Sequence, residues 1–489
     1  MAPPSSPLSP SPQVAPRPAY PVGPYQGGMA PPGQVPGYVP SFPGGYPYAP
    51  PPPPPPRKRM SPVAIFCLLL ALLVGGTLGI TAVVVGQTNT AALSEPQEPL
   101  SPSPTDGDPP QVRSAYLKQQ IGFTLEKNAK ALLDGDEDAW LKTFDPNLHE
   151  DASRRFDSLR ALSVSAFEYR VLSSPIDTEP GYVEFRLAAN YCLDSGGFDT
   201  CQASSIIFET EWTDKAPDFT ITRMDESTEI GPRPWEVDDI EARVGDRTIV
   251  AAPAKYADQL DDALEIAEAA AANADEWAVF EPVDKYVIYL AGSSEFETWY
   301  GLQGNMDNVV GFAVPVPVID ENNTQRRGGS DVVMHVDRVY DTEDFISTMR
   351  HELGHVATLH HSTATSFQEE DWWISEGSAE LIDHGIERPL SEYLRKRDVE
   401  EFLSSGGWTD GFAPLSDSAD RLEGSGKYGV AFYGAYYCVD TYGKDAFLEF
   451  LGLVAREGKD ADSSAQTAFG KPYSEIEQEM TDFVNSVAG

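Results

Sequence analysis

Residues 344–359 read DFISTMRHELGHVATL, and this stretch sets the reading of everything around it. Ile346, Met349, Leu353 and Val356 recur at helical spacing and form one apolar stripe. At about 100° per residue, His351 and His355 stand together on the side away from that stripe. One turn separates them, so both imidazoles can grip one ion. Glu352 follows the first histidine, angled to hold a water beside that ion. Two solvated histidines are the bland alternative. A zinc site for hydrolysis needs a third protein ligand and an open position, so a further ligand is expected outside the helix.

Two residues compete for that place. His361 matches the spacing of the metzincin pattern H-E-x-x-H-x-x-G-x-x-H. That pattern needs Gly to turn the chain back, and Thr358 stands there instead. On an uninterrupted helix His361 lies about 120° round from His355, too far to share the ion. The other candidate is Glu376, in WWISEGSAELIDH (372–384), 21 residues past His355.

With these residues the chain resembles the gluzincin metallopeptidases, the group of thermolysin and the M1 aminopeptidases. There a second helix carries an N-E-G-x-A-like or N-E-x-x-S-D-like segment; here Ser375 stands where Asn is usual, followed by Glu376-Gly377-Ser378-Ala379-Glu380. Downstream, YGVAFYGAYYCVDTYGKDAFLEFL (428–451) is similar to the tail of bacterial peptidase MA-like domains. The resemblance covers residues 235–489. It implies that Glu376 is the third ligand, that Glu380 orients His351 from behind, and that Tyr428 donates to the developing oxyanion, with Tyr433 in reserve. It also implies an edge strand above the metal that pairs with substrate backbone. The activity implied is peptide-bond hydrolysis with one zinc ion (Zn2+) per chain: zinc activates water, and Glu352 is the general base. Peptides or proteins are the substrates.

Strand patterns precede the metal helix. DRTIVAAP (246–253), DKYVIYLAG (284–292), GFAVPVPVID (311–320) and DVVMHVDRVY (331–340) read as strands, with a helix from Tyr256 to Trp277. Pro315 and Pro317, two apart, would face the same side of their strand. That marks an edge strand, because proline cannot donate to a ladder. After Thr342 the pattern is helical almost to the end. A small sheet thus precedes a helical bulk.

Residues 113–230 form a separate unit. Tyr116, Ile121, Leu125, Ala129 and Leu132 mark a helix, and short helical pieces surround Trp140 and Phe156. AFEYRVL (166–172), YVEFRLAANYC (182–192), ASSIIFETEW (203–212) and DFTITRM (218–224) then alternate as strands. Helices followed by an antiparallel sheet make an α+β unit, and the order resembles the NTF2-like, cystatin-like domains. Cys192 and Cys201 flank LDSGGFDT, where a disulfide across the hairpin is expected if the unit lies outside the cytoplasm. The fold class expected for the whole is α+β: an NTF2-like domain, then a thermolysin-like domain.

Further N-terminal, residues 61–86 (SPVAIFCLLLALLVGGTLGITAVVVG) carry no charge and match the length of about 20 apolar residues that spans a bilayer. Arg57, Lys58 and Arg59 abut the start of this run, which puts the N-terminus in the cytoplasm and the later domains outside. Gly75 and Gly79 could pack a helix dimer. Residues 1–60 are Pro- and Gly-rich, contain no acid, and read as a disordered cytoplasmic tail able to recruit a groove-type partner. Residues 87–112 read as a Pro/Ser-rich linker. All 76 acidic residues follow residue 60, and a formal net charge of −41 excludes nucleic acid as a partner. The expected location is therefore the cell membrane, single-pass. The competing function is a catalytically inactive envelope scaffold that keeps a degenerate peptidase fold.

Overall fold

The computed structural model describes residues 103–488, except 106, 199–200, 202, 215–218, 228–230, 281–282, 302–308, 340, 361, 363–368, 410 and 417–418. The tail 1–60, the apolar run 61–86, most of the linker 87–112 and His361 lie outside the described residues. Among the described residues no helix is long and apolar enough to cross a membrane.

Helix α1 (Pro110–Asp134) starts on a proline, whose missing N–H is harmless in a first turn, and stops at Gly135 with φ 74°. Tyr116, Leu117, Ile121, Leu125, Ala129 and Leu132 bury one face of it. The short α2 (Glu137–Leu141) and α3 (His149–Ala161) follow. They place the Trp140 ring 5.4 Å from Phe144, 6.1 Å from Phe156 and 6.3 Å from Phe167. The sheet beneath is antiparallel. It consists of β1 (Val164–Val171), β2 (Ile176–Asp177), β3 (Tyr182–Leu193), β4 (Ser204–Thr213) and β5 (Ile221–Met224), in the order β1-β3-β4-β5 with β2 on β3. Cys192 and Cys201 are disulfide-bonded across the β3–β4 connection, Cα atoms 6.0 Å apart.

The turn α4 (Pro234–Val237) leads into a second sheet of β6 (Ile240–Val244), β7 (Thr248–Pro253), β8 (Tyr286–Ala291), β9 (Gly311–Ile319) and β10 (Gln325–His335). Its order is β6-β7-β8-β10-β9. The parallel pairs β7·β8 and β8·β10 lie inside, and β9 is an edge strand antiparallel to β10. Helix α5 (Leu260–Asp275) crosses from β7 to β8, and the short α6 (Ser293–Thr298) follows β8. All six residues of β7 are buried, as fits an interior strand antiparallel to β6 and parallel to β8.

Three strand readings need correction. β2 and β6 are absent from the alternation-based reading. β10 begins at Gln325 and stops at His335, not at Tyr340. Gln325-Arg326-Arg327-Gly328-Gly329 looks like a turn in sequence, yet it pairs with β9 through a bulge between Arg327 and Ser330. A Cβ at Gly328 would lie 2.4 Å from the Ala203 carbonyl oxygen, so only glycine lets the first sheet come this close.

The C-terminal bulk is α7 (Thr342–Leu359), α8 (Glu369–His384), α9 (Lys396–Ser404), α10 (Arg421–Tyr442), α11 (Lys444–Leu451), α12 (Ala461–Ala468) and α13 (Tyr473–Ala488). Helix α7 packs on α5, β9 and α8, and α8 packs on α10. The expected break between residues 230 and 235 is bridged by one hydrophobic core that runs from Tyr116 to Val333. Polar contacts cross the same line. Asn190 Nδ2 donates to the Ile319 carbonyl at 2.9 Å, and the Ile319 N–H donates to Ser205 Oγ at 2.7 Å.

Candidate metal centre

Helix α7 is capped by Asp341, whose carboxylate accepts the Asp344 N–H at 3.0 Å. Met349, Leu353 and Val356 bury one side of it among residues of β7, β8, β10 and α5. The opposite side is not solvated, as the amphipathic pattern alone suggests; it is covered by α8. His351 and His355 project there with ring centroids 4.8 Å apart.

Glu376 arrives from α8 to meet them. The two Nε2 atoms are 3.1 Å apart. Glu376 Oε2 lies 3.3 Å from His351 Nε2 and 3.2 Å from His355 Nε2. Among the described residues, this is the group of three whose ligand atoms can reach a single ion. Zinc held tetrahedrally at about 2.0–2.1 Å sets its ligand atoms about 3.3–3.4 Å apart, and all three edges here approach that length. Glu376 Oε2 is buried and, close as both nitrogens are, in no aligned hydrogen bond. Two imidazoles and a carboxylate suit zinc. The residues present therefore fit the ion.

The outer imidazole nitrogens are also engaged. His351 Nδ1 is 3.4 Å from Glu380 Oε1, one turn past Glu376, and His355 Nδ1 is 3.3 Å from Ser375 Oγ. Glu380 is itself held: the Tyr393 hydroxyl donates to it at 2.6 Å and Arg395 Nε at 3.1 Å. Ser375, Tyr393 and Arg395 escaped the sequence reading as members of this site. Ser375 could have been found from its place beside Glu376. Tyr393 and Arg395 have no spacing signal, because a loop brings them back.

Electrostatics follow from burial against neighbours. Burial pushes the Glu380 carboxyl up, but Arg395 and then His351 outweigh it and hold it well below the usual carboxylate range. Burial likewise opposes ionisation of Glu376, yet His355 and His351 bring it down to about 2. Burial would lower His351, but Glu376 and Glu380 raise it well above the ordinary histidine value. Glu352 is 6% exposed and burial raises its carboxyl, although the neighbouring histidines pull it down in part.

Tyr428 faces the same site. Its ring centroid is 6.0 Å from His351 and 5.6 Å from Trp372, and the Arg395 guanidinium lies 5.4 Å from the ring. Burial first, and then the carboxylates of Glu376 and Glu352, raise its phenol far above the ordinary value, so it stays protonated. Tyr428 lies about two turns into its helix. α10 starts at Arg421, capped by Asp420. The segment RLEGSGKYG looks too glycine-rich for a helix, but α9 packs onto it: a Cβ at Gly426 would lie 2.4 Å from the Phe402 ring. Tyr433 is fully buried elsewhere, among Tyr393, Phe432 and Phe483. His335 packs on Phe296, and His384 on Tyr393 and Phe432.

No family model and no curated protein matches the chain. Among solved structures it is similar to an NTF2-like superfamily protein from Salmonella enterica, with 12% identity, 24% of this chain and 95% of that one covered, and a TM-score of 0.18. It is also similar to yeast LTA4 hydrolase, with 15% identity, 62% and 49% covered, and a TM-score of 0.31. A two-domain M1 zinc metallopeptidase bound to L-arginine aligns at 13% identity over 61% of each chain, TM-score 0.29. The chain thus spans about half the length of the yeast enzyme. At these scores none of them fixes a family for this chain.

Proposed function

We propose that this chain is a zinc-dependent peptidase, anchored in the cell membrane through residues 61–86 and acting outside the cytoplasm. One observation carries the catalytic part: Glu376 Oε2 and the Nε2 atoms of His351 and His355 form a triangle of zinc-ligand size beside the buried Glu352 carboxylate. The anchor rests on the uncharged run and the basic cluster before it.

His351, His355 and Glu376 would hold the ion. Glu380 and Ser375 fix the tilt of the two imidazoles, so that both Nε2 atoms stay aimed at one point. When bound, zinc supplies Lewis acidity, acidifying water and polarising a carbonyl. Glu352 takes the proton from the attacking water and passes it to the leaving amide nitrogen. Its raised pKa brings it nearer to a base matched to neutral pH. Tyr428, kept neutral, would donate to the carbonyl oxygen as charge develops there.

Glu352→Gln is the test. It should retain about one zinc per chain and lose about 10²–10⁴-fold in peptide hydrolysis. Undiminished turnover would remove Glu352 from the mechanism. Loss of zinc would make it part of the metal's support instead.

A further inference from the structure

The outer edge of β9 passes the metal centre and then runs under the N-terminal unit. Two contacts show which of its residues face outward. The Ala313 N–H is directed at the Glu352 carboxylate rather than at β10. Six residues on, both backbone groups of Ile319 are taken from outside the sheet. Residues two apart share a side, so Pro315 and Pro317 also face outward.

This edge changes character along its length. At Gly311 it touches the catalytic helix: a Cβ there would lie 3.2 Å from Glu352 Oε1. At Pro315 and Pro317 it has carbonyl oxygens but no N–H donors. Pro317 is already buried. At Ile319 it is closed by a ring of hydrogen bonds: the Ile319 N–H to Ser205 Oγ, the Ser205 hydroxyl to Asn190 Oδ1, and Asn190 Nδ2 to the Ile319 carbonyl. Asn190 and Ser205 belong to β3 and β4 of the N-terminal unit.

We infer that the N-terminal unit and the two prolines limit substrate length on one flank of the scissile bond, so that this chain acts on peptides with a chain end close to that bond. This rests on the peptidase reading of the metal centre. A peptide added to β9 finds outward carbonyl acceptors but no spare outward N–H along this stretch, because that of Ala313 is taken by Glu352 and the prolines have none. At about 3.3 Å per residue, about four residues fit between Ala313, beside the metal centre, and Pro317, where the edge becomes buried. The same devices protect the edge against aggregation, and that purely structural role predicts no length limit.

The experiment is a ladder of internally quenched peptides with one fixed scissile bond, extended one residue at a time on either flank and given to the zinc-loaded full chain. The expected result is asymmetry. kcat/KM stays level or rises along one flank and falls at least tenfold beyond about the fourth residue on the other. Equal tolerance of long extensions on both flanks overturns the inference and leaves the peptidase reading standing. No cleavage of any peptide removes the peptidase reading, and the inference with it. Pro315→Ala restores an outward N–H where the edge is still half-exposed. It should raise the ratio of long-peptide to short-peptide kcat/KM about 2- to 10-fold, the worth of one net hydrogen bond. An unchanged ratio, with cleavage intact, counts against the inference.

Discussion

Among the described residues, two groups of buried charges are balanced differently. At the junction of the two sheets Arg233 and Asp331 face each other at 3.4 Å, with side chains 1% and 8% exposed. The Tyr300 hydroxyl donates to Asp331 at 2.8 Å, and its ring lies 5.1 Å from the guanidinium. Glu236 and Arg155 are buried beside them, so two guanidinium groups meet two carboxyl groups. At the metal centre the buried carboxylates of Glu352 and Glu380 and the largely covered one of Glu376 are set against the guanidinium of Arg395. His351 is driven to bind a proton by that excess. Buried charge is tolerated only when paired. The junction pairs itself from its own side chains, whereas the metal centre has negative charge left for a cation.

That contrast can be broken by mutation. The largest effect is expected for Glu376→Ala, which removes a ligand atom and one of the three carboxylates. Metal analysis should find no stoichiometric zinc, and peptide hydrolysis should fall to background. Zinc retained at full occupancy would disqualify Glu376 as the third ligand. At the junction, Asp331→Ala leaves the buried Arg233 without its ion-pair partner, and should cost about 3–5 kcal/mol of stability in denaturant unfolding. Its zinc affinity should be unaltered, because nothing in the metal triangle touches it.

Two smaller effects sharpen the comparison. Glu380→Gln keeps the shape behind His351 and removes the charge. Chelator competition should show about 10–100-fold weaker zinc binding. Ser375→Ala, which removes only a neutral contact to His355, should cost less. The last prediction concerns pH. The His351 pKa in the metal-free site is raised above its ordinary value, so the imidazole carries a proton at neutral pH that zinc must displace. Apparent zinc affinity should therefore rise with pH, roughly tenfold per unit for one displaced proton. Calorimetry in buffers of different ionisation enthalpy should detect that proton's release. Zinc affinity independent of pH near neutrality would mean that His351 is already neutral.

Much of the architecture was legible because it depends on periodicity. The spacing of Tyr116, Ile121, Leu125, Ala129 and Leu132 marks the buried face of α1, and all five are buried in it. The prolines of β9 mark an edge strand, and β9 is one. His351 and His355 meet because a helix returns to the same face every turn. Where a segment's behaviour depended on a distant partner, local pattern failed. Residues 325–329 look like a loop until the first sheet lies against Gly328. The RLEGSGKYG run looks broken until Phe402 packs over Gly426.

By itself, then, the sequence determined the α+β order of elements, the helix that carries His351, Glu352 and His355, and the short list from which a third ligand could come. These follow from backbone geometry, which repeats every few residues and needs no partner. Only the tertiary structure decided that Glu376 closes the triangle, that Tyr393 and Arg395 reach back to hold Glu380, and that Asn190 and Ser205 seal the edge of β9. Those contacts join residues far apart in the chain. Their distances are set by how whole helices and sheets bury their apolar faces against one another, which no local spacing encodes.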